Sequence, residues 1–253
     1  MPRIFRTVHA WTAERAALDL TPLRIGFVPT MGALHAGHRS LLERARAENE
    51  RVVMSIFVNP TQFDNPADLS AYPRTLEADL AFAGGLADDV LVPEASEIYP
   101  DRFRYRMTES DFSRTLEGAH RPGHFDGVLT VVLKLLNLVR PHRAYFGEKD
   151  RQQLELVKGM VQALFLPVEV IPCPTVRDPD GLALSSRNRR LSPAARARAA
   201  SFPRILRESP SPAEAQAALG RAGFGVDYVE DREGVRSAAI RLEEVRLIDN
   251  VRP

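Results

Sequence analysis

One cysteine, one tryptophan and no long uninterrupted apolar run set the first limits on this chain of 253 residues. Cys173 cannot close an intrachain disulfide, and between Pro172 and Pro174 it has no partner at redox-motif or metal-ligand spacing, so it reads as structural or incidental. The longest apolar stretch, around Val128 to Leu138, is interrupted by Thr130, Lys134 and Asn137. It falls short of the ~20 residues that span a bilayer, so no membrane partner is expected. The N-terminal Met-Pro-Arg-Ile-Phe-Arg has neither an apolar stretch nor a small-residue cleavage site, and the expectation is a cytoplasmic protein without a secretory signal. Charge of one sign is also missing. A formal net charge of +1 supplies no broad positive field, which argues against nucleic acid as an obligatory partner. The local run Arg187, Arg189, Arg190, Arg196, Arg198, Arg204 and Arg207 is read as a solvated helix face, Arg187 excepted.

What is present is an alternation of β-branched runs and helical patterns over the first two-thirds, which predicts an α/β protein with a parallel sheet covered on both faces. Strands are expected at 24–28, 52–58, 90–92, 144–146 and 168–171, and helices at 39–50, 125–139 and 156–165. After Pro172 the character changes to a Pro/Asp/Gly turn, the polar Ser-Ser-Arg-Asn segment, an Arg/Ala-rich helix and proline-punctuated chain as far as Pro212. A boundary is therefore placed there, giving a larger α/β domain over 1–173 and a smaller α+β cap over 174–253. That cap contains a helix near 213–222 and strands at 226–229 and 238–242.

Met31, Gly32, Ala33, Leu34, His35, Ala36, Gly37 and His38 follow a predicted strand and open a helix, where backbone N–H groups and the helix dipole favour phosphate. Gly32 and Gly37 let the backbone approach a triphosphate, and His35 and His38 share a face of the first turn. Both can donate to phosphate oxygens, an interaction that strengthens as charge grows between the α- and β-phosphates. Without context, such a histidine pair is more often structural, and zinc shared with His120 and His124 is an alternative that Pro122 and Gly123 work against. Gly147, Glu148, Lys149 and Asp150 lie at the carboxyl edge of a strand, with Lys149 aimed at phosphate. Of the adjacent Gln152 and Gln153, only one can face a site and the other is expected to be exposed. Leu184, Ser185, Ser186 and Arg187 form a polar loop suited to closing over phosphates, although alone they read as an ordinary loop. Asn59 and Gln62, beyond the second strand, are placed to hydrogen-bond a polar substrate.

Taken in order, Pro29 to His38, Phe57-Val-Asn-Pro-Thr-Gln-Phe63, Tyr72-Pro-Arg74, Arg121-Pro-Gly-His-Phe125, Phe146 to Gln153 and Asp180 to Asn188 resemble the pantothenate synthetase family. The resemblance runs from about residue 20 to residue 192, with a further match at Arg246-Leu-Ile-Asp-Asn250. It implies a Rossmann-like, doubly wound domain of the nucleotidyl-transferase type. It also implies joining of pantoate to β-alanine through a pantoyl adenylate, with ATP, accompanied by Mg²⁺, cleaved to AMP and pyrophosphate. By position it implies that residues 31–38, 147–150, Val176 and 184–187 contact ATP, with His38, His35 and Lys149 catalytic. Gln62, Gln153 and Asn59 then hold pantoate or β-alanine, and the protein is a homodimer. Against the family's usual pattern, the region after Ser192 reads as shortened. The competing function is a nucleotidylyltransferase of the same fold acting on another small acceptor, which needs a cationic acceptor pocket.

Overall fold

A computed structural model of the chain describes residues 2–18 and 23–253. Met1 and the first residues of the stretch carrying the family resemblance, up to 22, lie outside the described residues. Among the described residues six strands form one parallel sheet: β1 (Arg3–Phe5), β2 (Ile25–Thr30), β3 (Arg51–Ile56), β4 (Asp89–Leu91), β5 (Arg143–Gly147) and β6 (Glu169–Cys173). Their spatial order is β1-β4-β3-β2-β5-β6. From β2 the chain winds outward through β3 to β4, then returns to the middle and continues outward the other way through β5 and β6. The order therefore reverses between β2 and β5, and the crevice beyond their carboxyl ends is where an open parallel sheet binds ligands. The segments 31–38 and 147–150 leave the sheet at those two ends.

The strands alternate sides as the two-residue period requires. Ile25, Phe27, Val53, Ala144 and Phe146 face one buried layer, while Val28, Val52, Met54, Tyr145 and Ile171 face the other. The first layer is covered by α1 (Val8–Leu18), α7 (His124–Val139) and α8 (Arg151–Ala163), and the second by α2 (Ala36–Glu48) and α4 (Leu76–Ala83). The short helices α3 (Pro66–Ser70), α5 (Ala95–Ile98) and α6 (Leu116–His120) fill the connections. This is the expected α/β, Rossmann-like doubly wound class. The pair β1 and α1 was not anticipated. A three-residue strand gives almost no periodic signal, and α1 is tied down by tertiary bonds: the Trp11 indole donates to Leu138 O (2.7 Å) and Arg15 Nε to Val139 O (2.7 Å).

Beyond β6, helices α9 (Pro193–Ala199), α10 (Ser201–Glu208) and α11 (Pro212–Arg221) pack on an antiparallel sheet of β7 (Gly225–Arg232), β8 (Val235–Leu242) and β9 (Val245–Val251). They share a core of their own, including Leu182, Phe202, Leu206, Leu219, Ile240 and Leu247. Strand β9 contains the Arg246 to Asn250 motif, a segment for which the sequence predicts no element. The arginine run is not simply solvated. Arg189 donates to Leu34 O (3.4 Å), Arg190 pairs with Asp68 (2.6 Å), and Arg196 bridges Asp178 and Asp180. Among the described residues no helix is long and apolar enough to cross a membrane.

One helical glycine decides how closely the fold closes over its crevice. A Cβ on Gly127 in α7 would meet Thr61 O and lie 2.7 Å from Gln62 N, in the turn that follows β3. Gly127→Ala gains up to ~1 kcal/mol of helix propensity. Overpacking against fixed backbone costs ~1–3 kcal/mol, so the net effect is loss. Thermal unfolding of Gly127→Ala is expected to show a lower midpoint, and an equal or higher one would refute this packing argument.

Candidate active site

The loop after β2 turns through Gly32 (φ 79°) and Ala33 (φ 51°) before α2 begins. Its amides point inward: Asp79 on α4 accepts from Ala33 N (3.0 Å) and Leu34 N (2.7 Å). Helix α2 starts at Ala36, three residues earlier than its apolar spacing suggested, because His35 caps it. His35 Nδ1 accepts from Gly37 N (3.1 Å), and His38 Nδ1 accepts in turn from His35 N (3.3 Å). This is a capping box made of two imidazoles. An imidazole that accepts at Nδ1 carries its proton on Nε2 when neutral. Burial pushes the His35 pKa down to about 4, helped by Lys149 and Arg189. The His38 pKa falls to about 3 through burial and the His35 charge. Two neutral Nε2–H donors, with ring centroids 4.1 Å apart, result.

Around them is a cleft of about 240 Å³. It brings together Met31, His35, Gly37, His38, Asn59, Gln62, Gly147, Lys149, Asp150, Gln153, Val176, Leu184, Ser185, Ser186 and Arg187. Val128, Val131, Val132 and Leu135 of α7 supply an apolar wall. Five expected contacts do not line this cleft. Gly32, Ala33 and Leu34 are buried beneath it against Asp79, Ala36 is exposed, and Glu148 lies to one side. The expectation of a phosphate cradle made by all the amides of 31–38 is thus corrected, because Asp79 takes two of them.

Asn59 also changes role. Its amide donates to Gln62 Oε1 (3.0 Å) and Gly127 O (3.2 Å), while its Oδ1 accepts from Tyr99 Oη (2.7 Å) and Thr61. At 1% exposure it orients Gln62 and has no polar atom left for a ligand. With Gln62 Oε1 held this way, the carboxamide NH₂ is the end offered to the cleft. Gln153 lines the cleft as anticipated. Gln152, expected to be exposed, is buried: it donates to Phe112 O (2.7 Å) and Thr115 O (2.9 Å) and accepts from Glu117 N (2.9 Å).

The loop 184–190 reaches across the crevice. Ser185 Oγ accepts from Arg187 N, and Arg187 pairs with Asp68 of α3 (3.1 Å) beside Arg190. Asp150 is held below the usual carboxylate range; burial opposes this, but Lys149 and Arg187 prevail. Two lining residues, Arg121 and His124, carry no substrate-binding expectation from the sequence, His124 standing there only in a motif and as an alternative zinc ligand. His124 Nδ1–H donates to Gln62 O (2.8 Å) and its Nε2 accepts from Arg121 Nη1 (3.1 Å). Burial and the Arg121 charge take its pKa down to about 4, so this histidine is the opposite tautomer from the capping pair. The sequence signal was a charged cluster beside the Pro122-Gly123 turn that enters α7. A second chamber of about 460 Å³ opens between α6, the 185–190 loop and the small sheet, sharing Arg121, His124, Lys149, Asp150, Gln153 and Arg187 with the cleft.

A doubly wound sheet whose switch point holds neutral histidine donors, a lysine and a closing arginine loop defines an enzyme of the nucleotidyl-transferase type. Residues 3–252 match the family model described as Pantoate-beta-alanine ligase. The pantothenate synthetase of Bdellovibrio bacteriovorus is 55% identical over 252 residues, 99% of each chain, and that of Legionella pneumophila is 49% identical over 249 residues, 98% of each. The crystal structure of the pantoate-beta-alanine ligase from Francisella tularensis, complexed with beta-gamma ATP and beta-alanine, superposes with a TM-score of 0.94 at 40% identity, covering 99% of this chain and 97% of that one. Pantothenate synthetase from Thermus thermophilus gives 0.89 at 45% identity, covering 99% of both. The chain belongs to the pantoate-beta-alanine ligase family. Its compact C-terminal region, which read as shortened, is not a difference from these four proteins, whose lengths it matches.

The histidine assignments have a measurable consequence. Unfolded imidazoles take up a proton near 6.5, whereas His35, His124 and His38 do so at about 4, 4 and 3 when folded. Between those values the unfolded chain binds more protons. Stability from these groups is therefore complete above pH 6.5 and is lost as pH falls from there through about 4 for His35 and His124 and about 3 for His38. Long-range ¹H–¹⁵N spectra are expected to show Nε2–H for His35 and His38 and Nδ1–H for His124, none titrating between pH 8 and 5.5. Titration of any of them near 6.5 contradicts the site geometry.

Proposed function

We infer that this chain joins pantoate to β-alanine with cleavage of ATP to AMP and pyrophosphate, and that the cleft at the β2/β5 switch point is where it does so. The observation that carries the substrate assignment is the Gln62 carboxamide, turned by Asn59 so that its NH₂ faces a cleft walled by Val128, Val131, Val132 and Leu135. Amide donors suit a carboxylate or hydroxyl, and the aliphatic wall suits the dimethyl carbon of pantoate. A nucleotidylyltransferase with a phosphate-bearing acceptor needs cations where this wall is apolar, which disfavours that alternative.

In the first step a pantoate carboxylate oxygen attacks the α-phosphorus and the bond to the β-phosphate oxygen breaks, releasing pyrophosphate. His38 and His35 donate Nε2–H bonds to the phosphate oxygens as negative charge moves onto the leaving group, with Lys149 and Arg187 adding positive charge. No proton transfer from histidine is required, and the low pKa values suit neutral donors. In the second step the neutral amine of β-alanine attacks the acyl carbon, the bond from that carbon to the AMP oxygen breaks, and the proton lost by the nitrogen passes to AMP or water. The carboxylate is a poor acyl donor until adenylation gives it this leaving group. Loop 184–187 excludes water from the mixed anhydride. The adjoining chamber, which shares Lys149 and Gln153 with the cleft, provides an approach for the amine.

Mg²⁺ enters with ATP as part of the substrate. Among the described residues no group of three or more His, Cys, Asp or Glu is placed to hold a metal. That fits an ion bound mainly by phosphates and water, with Asp150 the carboxylate at hand. We place the domain boundary after Cys173, supported by the separate core of the C-terminal part, and assign the closing role to residues 174–253. Cytoplasmic location and a homodimeric state complete the proposal; sedimentation velocity tests the latter.

His38→Ala is expected to slow pyrophosphate release by ~2–4 kcal/mol in activation free energy, the scale for one preorganised donor to a developing anion. Near-normal turnover would remove His38 from the mechanism. Gln153→Ala should raise the KM for pantoate more than that for ATP, and equal weakening of both contradicts its assignment. The overall reading is tested by mass analysis of products: pantothenate with stoichiometric AMP should require ATP, Mg²⁺, pantoate and β-alanine together.

A further inference from the structure

The Arg246 to Asn250 motif is remote in sequence from the cleft, yet its last residue touches the cleft's backbone. Asn250 on β9 directs its carboxamide NH₂ to two successive carbonyls, Glu148 O (2.9 Å) and Lys149 O (3.0 Å). Those carbonyls belong to the short 3₁₀ turn 148–150 that carries Lys149 out of β5. Asp150, at φ −95° and ψ 58°, separates this turn from the regular geometry of α8. The turn is therefore fixed in part from outside, by a side chain of the small sheet.

Asn250 is itself held firmly. Its N–H donates to Asp249 Oδ1 (2.8 Å), and its carbonyl accepts from Arg177 Nη2 (3.1 Å). Asp249, 3% exposed, takes Arg177 in a two-pronged pair at 2.7 and 2.9 Å. Arg177 also donates to Gly181 O (3.0 Å) and bridges to Ala183, at the root of the closing loop. A single knot of Arg177, Asp249 and Asn250 thus joins the base of the loop to the turn that presents Lys149.

We infer that Asn250 is a positioning residue for adenylation, holding the 148–150 backbone so that the Lys149 ammonium stays in the cleft. This rests on the assignment of Lys149 to the phosphates given above. A carboxamide is suited to the task because one NH₂ supplies two donors in a plane, one for each carbonyl. An aspartate of the same shape supplies neither and places negative charge against both oxygens.

The test is single-turnover pyrophosphate release from ATP, Mg²⁺ and pantoate by the full chain and by Asn250→Ala, Asn250→Asp, Lys149→Gln and the Asn250→Ala/Lys149→Gln double variant, with thermal midpoints recorded in parallel. Asn250→Ala is expected to lower the rate about tenfold or more with the KM for pantoate changed less than about twofold, the signature of an interaction realised in the transition state. Asn250→Asp should be at least as slow; if its charge prevents folding, Asn250→Ala decides alone. In the double variant the Asn250 change should add nothing to the Lys149→Gln loss, since residues acting through one group are not additive. A role only in joining the two sheets would lower the midpoint and leave the rate of folded protein unchanged, and that result overturns the inference. So does a full additional loss in the double variant. If Lys149→Gln alone keeps its rate, the phosphate assignment of Lys149 fails and takes the inference with it. A slow Lys149→Gln beside a normal Asn250→Ala defeats only the inference.

Discussion

The Asp79 carboxylate takes the amides of Ala33 and Leu34 in a buried place between β2 and α4. Helix-start amides in a loop like this commonly meet a ligand anion, but here a resident anion has two of them. Gly32 and Ala33, with their positive φ angles, make the bend that allows it. Once that bend is fixed, His35 falls at the cap position and His38 one turn further along, and each ring is oriented by backbone before any substrate arrives. The geometry of the histidine pair follows from an inward-facing loop, and the donors it turns to the cleft belong to side chains. A buried carboxylate that does not line the cleft therefore sets where those donors stand.

Much of the frame was legible because its signals are periodic. Phe125, Val128, Val132, Leu135 and Val139 repeat at helical spacing, and they form the buried side of α7. The apolar runs likewise located β2 and β3, whose two-residue period then places Phe27 and Val28 in opposite layers. The motifs located the two sides of the cleft because each follows a strand end. What could not be read is the partner of each polar group. Asn59 and Gln62 have the same chemistry in sequence and both line the cleft, yet the polar atoms of one are consumed by Gln62, Tyr99, Thr61 and Gly127 and only the other keeps a polar end for a ligand. Gln152 and Gln153 divide in the same way, one tied to Phe112 and Thr115 and the other lining the site. Those outcomes depend on contacts tens of residues away. The same holds for α1, tied to the carbonyls near the end of α7, and for β1, which is placed by pairing with β4.

The smaller sheet is more than a cover. Glu117, next to the buried Gln152, receives Arg246 (2.6 Å) and the Tyr228 hydroxyl (3.0 Å) from that sheet. Arg246 and Arg121 hold Glu117 below the ordinary carboxylate range although burial opposes them. Polar contacts of this kind locate two packed units without demanding a continuous apolar interface, and they leave room between the units for the larger chamber beside the cleft. Loop 184–190, rooted in one unit and paired to Asp68 in the other, can then span that room.

The paired histidine cap also bears on which ions the cleft excludes. A transition metal binds imidazole through an unprotonated nitrogen. In His35 and His38 the unprotonated nitrogen is Nδ1, already facing an amide of the helix start, while the outward Nε2 carries hydrogen. For zinc or copper to use the outward nitrogens, the protons would have to change places and both links of the cap would break, at ~1 kcal/mol for a helix cap. Two histidines spaced like a chelate are thereby masked by the helix they start, and the face they turn outward offers hydrogen rather than a lone pair.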